Sequence, residues 1–199
     1  TLQVWRERAV TDATQALGHF IPPPMPAASG VDAEALRAAA QNVDADAGPA
    51  FPMWVLPVKK LLELEEIITH EALQAQGSLV RWEPGMQTLF VSHTWLRHNH
   101  PDGVNKEKLT LMKRLLGDIL AGTARDIHPQ WALSLQKGGN QLRIKAKDLV
   151  CLRDGYVWLD LASIPQADKK SQPLAIASIP QYISASNWFM VLSGPWTHE

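Results

Sequence analysis

A single cysteine, Cys151, occurs in 199 residues. No intrachain disulfide can form and no cysteine-rich metal cluster can be assembled. Such sparing use points to a reducing compartment, so an intracellular, soluble location is expected, an organelle included. The charge balance is nearly even, with a formal net charge of −1, which gives no global pull toward nucleic acid or an anionic membrane. No apolar run approaches the roughly 20 residues needed to cross a bilayer, so membrane insertion is not expected. No signal-peptide core is present and the chain starts at Thr1, which suggests a processed product or one piece of a longer polypeptide. A glycine-rich phosphate loop is lacking: Gly138-Gly139 is not followed by Lys-Ser/Thr and opens no helix. The stretch HTWLRHNHPD gathers His93, His98, His100 and Asp102, donors that a metal would accept, yet their spacing matches no standard zinc pattern. No metal and no cofactor are expected.

What is present is an ordinary globular composition, 46% apolar and 20% charged, long enough for one domain with extensions. Eight tryptophans stand out, suited to packing anchors or to a protein interface. Residues 1–56 read as an arm: a short helix from Leu2 to Leu17, the proline-rich IPPPMPAASG, and a helix from Val31 with Asp32 as N-cap. Residues 57–199 read as an α/β domain. PVKKLLELEEIITHEALQAQG has apolar residues at helical spacing and Gly77 as a C-cap. TLFVSH, GYVWLDLAS and NWFMVLSG read as buried strands. KEKLTLMKRLLGDILAG between the first two reads as an amphipathic helix. Leu109, Met112, Leu115, Leu116 and Ile119 fall on one face; Leu109, Met112, Leu116 and Ile119 would pack against the sheet, and Lys106, Lys108 and Lys113 would face solvent. Strand, helix, strand, helix, strand predicts a parallel sheet with the first strand between the other two.

The pentapeptide ASIPQ occurs at Ala162–Gln166 and again at Ala177–Gln181. The first copy leaves a strand and becomes a loop. The second falls in the following helix, where Pro180 must kink or restart it, so the two copies carry no shared structure. Other small features read as surface or filler: Lys169-Lys170 and Lys145–Lys147 as solvated clusters, and Cys151 as a buried or inert thiol.

Ligands of open α/β sheets gather at the carboxyl ends of the strands. Ser92, His93 and Trp95 lie at the end of the first strand; Asp160, Ser163 and Gln166 lie at the end of the second. If those strands are neighbours, these six residues line one crevice, with His93 and Asp160 in contact and Ser92 nearby. The alternative is that Asp160 caps a turn and His93 binds a backbone carbonyl.

The order TLFVSHTW, helix, YVWLDLASIPQ, helix, WFMVLSG resembles the first half of a Toll/interleukin-1 receptor (TIR) domain. Ile164-Pro165-Gln166 stands where that family often has Ile-Pro-Gly, and Val191-Leu192-Ser193 matches its Leu-Ser strand end. Trp158 to Gln166 resembles the heterokaryon-incompatibility branch of the superfamily. The resemblance spans about residues 88–193. It implies a flavodoxin-like sheet, incomplete in this chain. In some relatives it implies cleavage of NAD, and in others self-association without catalysis. Catalytic relatives carry an essential Glu in a Trp-Cys-x-x-Glu-like context after the third strand, a motif that Trp196-Thr197-His198-Glu199 does not reproduce. The expectation is therefore a protein-interaction module or structural subunit of a larger assembly. It would have no catalytic residue of its own, and homo-oligomers would be compatible with it. The alternative is an NAD hydrolase whose catalytic Glu lies beyond Glu199, with NAD as substrate.

Overall fold

The structure is a computed structural model and describes residues 48–97, 100–126 and 144–192. The expected helices and proline-rich stretch of the arm, His98, Gly138-Gly139, Ser193 and the Trp196–Glu199 segment lie outside the described residues. Strand β1 (Trp54–Pro57) opens the fold, followed by helices α1 (Val58–Glu63) and α2 (His70–Ala75) and the short strand β2 (Val80–Arg81). Strand β3 (Thr88–His93) leads through a long loop to helix α3 (Glu107–Ala121). A 3-10 helix (Ala146–Asp154), strand β4 (Tyr156–Trp158) and the helical turn α4 (Asp160–Ser163) follow. Helices α5 (Ser171–Ala177) and α6 (Ile179–Ala185) then lead to strand β5 (Trp188–Leu192).

The five strands form one open sheet in the order β2-β1-β4-β3-β5. Strand β3 runs parallel to both neighbours, with Phe90 opposite Trp158 on one side and Phe189 on the other. The three expected strands are thus parallel, with the first in the middle. The sheet as a whole is mixed, however, because β1 pairs antiparallel with both β4 and β2. All of that strand but Pro57 falls in the expected arm, residues 1–56. It is only four residues long and lies between Pro52 and its own terminal Pro57, so it gives almost no periodic signal. Its two central residues nevertheless anchor both cores: Val55 and Leu56 are each 0% exposed and lie on opposite faces. No helix among the described residues is long and apolar enough to cross a membrane.

One face of the sheet carries Leu56, Leu89, Val91 and Val157 against α1, α3 and the 3-10 helix. The other carries Val55, Phe90 and Trp158 against Ala175 of α5 and Tyr182 of α6. Helix α3 meets its expectation at Leu109, Met112, Leu116 and Ile119, all buried. Truncating Leu116, 1% exposed, to alanine is expected to cost about 2–5 kcal/mol, read by urea denaturation; a loss near zero would mean the face is wrongly assigned.

The lysines of α3 correct the expectation. Lys106 is exposed, but Lys108 is fully buried, and the half-buried Lys113 donates from Nζ to the carbonyl of Leu64 at 2.6 Å. The single helix expected over residues 57–77 is two. The backbone turns extended at Leu64, and Thr69 starts α2 by accepting from the amide of Ala72. Leu61, Ile67 and Leu73 all reach the core from this broken path, so apolar spacing alone could not distinguish it from one helix. The second expected strand stops at Trp158. Asp160 accepts from the amide of Leu161 at 2.6 Å and Ser163 Oγ accepts from the amide of Leu159 at 3.2 Å, turning the chain into α4. The helix before β5 breaks at Ser178 and restarts with Pro180 in its first turn, where a missing amide costs nothing. The two ASIPQ copies accordingly have different backbones. Cys151 is exposed, which removes the buried alternative for its thiol.

Candidate functional site

Because β3 and β4 are adjacent and parallel, their carboxyl ends bring the loops that follow them together. His93 ends β3, Trp95 lies two residues on, and Asp160 lies two residues past β4. The His93 side chain is 1% exposed, and its Nε2 lies 3.1 Å from Asp160 Oδ1, at ion-pair distance. The indole N–H of Trp95 donates to the other oxygen, Asp160 Oδ2, at 2.6 Å. Asp160 keeps 27% of its side chain exposed. Burial pushes its pKa up, but the His93 imidazole, the Trp95 indole and the Leu161 amide together outweigh that, and the carboxyl is held below its ordinary value. Both ring nitrogens of His93 are buried without a well-aligned hydrogen bond, so Nε2 meets Asp160 by close approach.

Three of the six expected residues therefore converge: His93, Trp95 and Asp160. The other three do not join them. Ser92 pairs with Val191 across β3–β5 and shares the face of Phe90, while His93 shares the opposite face with Leu89 and Val91. Successive strand residues alternate faces, so Ser92 and His93 cannot enter one crevice. Ser163 is 2% exposed and its hydroxyl is engaged by the amide of Leu159. Gln166 turns toward α2 and α5: its amide donates to Glu71, its side-chain nitrogen to the carbonyl of Ile164, and its side-chain oxygen accepts from Gln172.

Two residues outside the expected set complete the cluster. Asp102, 1% exposed, accepts from the amides of Lys108 at 2.9 Å and Leu109 at 3.0 Å, the second and third residues of α3. It also accepts from the amide of Gly103 at 3.0 Å, so one carboxylate satisfies the donors that a helix start leaves open. Lys108 feels the carboxylates of both Asp102 and Asp160 and donates from Nζ to the carbonyl of Thr94. Its burial lowers its pKa, against the pull of both carboxylates. The signal for Asp102 was present in the HPDG string preceding a helix, an acceptor before a turn; nothing local marks Lys108 as buried.

The histidine loop is used structurally. His100 Nδ1 accepts from the amide of Asp102 at 3.0 Å, and its Nε2 lies 2.7 Å from the carbonyl of Ile67, to which it donates in the matching tautomer. Arg97 Nε donates to the carbonyl of Asp102 at 2.7 Å. Among the described residues, no three His, Cys, Asp or Glu side chains are grouped to hold a metal.

The loop bearing Asp160 is held from α2 as well. Burial lowers the pKa of His70, against the pull of Glu71 and of the backbone at Ala162 and Ser163. Glu71 accepts from the amides of Gln166 at 2.6 Å and Ala167 at 2.7 Å. Burial pushes the Glu71 carboxyl up, but these amides prevail and lower it. A cavity of about 360 Å³ opens elsewhere, between the C-terminal half of α3 and the 3-10 helix, lined by Arg114, Asp118, Arg125 and Leu149 among others. None of the six expected residues lines it.

Asp160 has a testable pH signature. A carboxyl whose folded pKa is depressed contributes stability above its unfolded value and loses it as pH falls through the folded one. Asp160→Asn should therefore lower stability at neutral pH and flatten the part of the acid limb below pH 3.8, the ordinary value. The remaining slope would belong to Glu71, Asp154 and Asp168, whose values are also lowered. Urea titrations across the acid range measure this; parallel curves for variant and wild type would remove the linkage.

No family model matches this sequence, and comparison with curated proteins and with solved structures finds no similar protein.

Proposed function

We propose that this chain is a TIR-like protein-interaction module, non-catalytic in itself, that binds a protein partner through the open edge of β5. The observation that carries this reading is the edge itself. Strand β5 ends the sheet among the described residues, is WFMVL without a charge, and leaves Phe189 53% and Val191 61% exposed on one face. Native sheets normally protect an edge with charge, proline or a bulge, and an exposed apolar row of this kind marks a contact surface. The parallel strands lie second-first-third in chain order, as at the start of a flavodoxin-like sheet, which supports the family part of the reading. The polar cluster supports the non-catalytic part. Asp160 is engaged by Trp95, His93 and Leu161, and Asp102 by three amides, so their acceptor capacity serves the fold.

The convergence of His93, Trp95 and Asp160 at the carboxyl ends favours a second reading. In it the cluster is part of an NAD-hydrolysing site, completed by an acidic residue outside residues 1–199. Cleaving the nicotinamide bond requires stabilising a developing oxocarbenium ion, for which a positioned carboxylate is the usual device. Incubating the purified chain with NAD and quantifying free nicotinamide separates the two. No release above buffer is expected, together with a discrete adduct when a photo-crosslinker replaces Phe189. Nicotinamide release that Asp160→Asn abolishes, with no adduct at Phe189, would overturn the interaction reading.

A further inference from the structure

We infer that the cavity between α3 and the 3-10 helix binds a small organic anion, a carboxylate or phosphate group carried on a compact apolar body. This site shares no residue with the β5 edge or with the His93–Asp160 cluster, so it stands or falls apart from the function proposed above. The cavity has a volume of about 360 Å³, within the range of small-molecule sites. Among the described residues its lining holds two arginines, Arg114 and Arg125, against one acid, Asp118. Neither guanidinium has a hydrogen bond or an ion pair among those residues. Arg114 lies one turn before Asp118 on α3, yet the two do not pair; the Thr123 hydroxyl lies 3.4 Å from Asp118 Oδ1 instead. The buried part of the lining is apolar, with Ile119 4% and Leu149 6% exposed. A guanidinium fork matches two oxygens of a carboxylate or phosphate, and the apolar lining suits the body attached to them.

The backbone around the cavity is already fixed. Helix α3 ends at Gly122, and the amides of Thr123 and Ala124 donate back to the carbonyl of Asp118 at 2.9 and 3.0 Å. Asp126 accepts from the amide of Ala146 at 2.8 Å. Arg125 thus sits on a short turn tied at both ends, and binding has little backbone left to order. The C-terminus of a helix ordinarily repels an anion, because its last carbonyls are open. Here they are engaged. Besides that of Asp118, the carbonyl of Ile119 accepts from the amide of Gly122 at 3.2 Å, and that of Leu120 from Arg153 Nη2 at 2.9 Å. What the cavity offers a ligand is then two guanidiniums, offset in part by Asp118.

Two-dimensional amide NMR of the isotope-labelled 199-residue chain tests this, with benzoate, phenyl phosphate, benzyl alcohol and inorganic phosphate as probes. Benzoate and phenyl phosphate are expected to shift the amides of Thr123, Ala124, Arg125 and Leu149 saturably. Whichever binds more tightly identifies the anionic group that the site prefers. Benzyl alcohol keeps the apolar body without the charge, and inorganic phosphate keeps the charge without the body. Each should bind roughly tenfold more weakly or worse, the loss of one charge-assisted contact or of the buried ring. Arg114→Gln and Arg125→Gln should each weaken the better anion roughly tenfold. Lysine at either position should fall between, because it keeps the charge and loses the fork. The same spectra show whether each variant is folded. No saturable shift with either aromatic anion overturns the inference, as does binding that is indifferent to both glutamine variants. Benzyl alcohol binding as tightly as benzoate would remove the role of the arginines, and inorganic phosphate binding as tightly as phenyl phosphate would remove that of the apolar lining. Those two comparisons use the wild-type chain alone, so they decide the question even where a variant fails to fold.

Discussion

Asp102→Ala is expected to destabilise the protein by about 3–5 kcal/mol, because several buried donors lose their acceptor at about 1–3 kcal/mol each and a buried lysine loses a nearby carboxylate. Asp102 is 1% exposed and Lys108 0%, so neither group recovers hydration when the other is removed. The substitution strips the acceptor from the amides of Gly103, Lys108 and Leu109 at once. It also removes from the buried Lys108 ammonium the attraction of one of the two carboxylates that act on it. The double variant Asp102→Ala, Lys108→Met should recover part of the loss, because the methionine fills much of the same space without a charge to solvate. Urea denaturation of the two single variants and the double variant gives the coupling directly. Additive losses would show that the carboxylate acts only as a helix cap.

The same pair shows where the sequence was legible and where it was not. Helix α3 was readable because four apolar residues repeat at helical spacing and all four are buried. Lys108 was not, because its burial follows from Asp102 in the preceding loop and Asp160 after another strand, and a helical pattern carries no information about loops brought in from elsewhere. The convergence of His93 and Asp160 was readable from the parallel order of two apolar strands, since adjacent parallel strands end at the same edge. Placing Ser92 in the same crevice contradicted the alternation of strand side chains, a signal that was available. The division of the first long apolar pattern into α1 and α2 was hidden, because both pieces send leucine and isoleucine into the same core. Strand β1 was hidden by its brevity and its prolines.

Trp158→Ala should be as damaging as the loss of Asp102, at about 3–5 kcal/mol for a large aromatic side chain removed from a core. Trp158 is 2% exposed, stacks on Phe90 at 4.2 Å with its ring tilted by 8°, and meets Tyr182 of α6 at 6.0 Å. It therefore joins the middle of the sheet to the helix that covers this face. Its indole N–H has no hydrogen-bond partner, and an unpaired buried donor carries a desolvation cost. Trp158→Phe should consequently cost much less than the alanine change: the stack on Phe90 survives, the orphan donor is gone, and only the volume difference remains as a loss. The difference between the two variants, read from urea denaturation followed by far-UV circular dichroism, isolates what the ring stack contributes. Equal losses from phenylalanine and alanine would mean that the full volume of the indole, rather than the stack, is what this position requires.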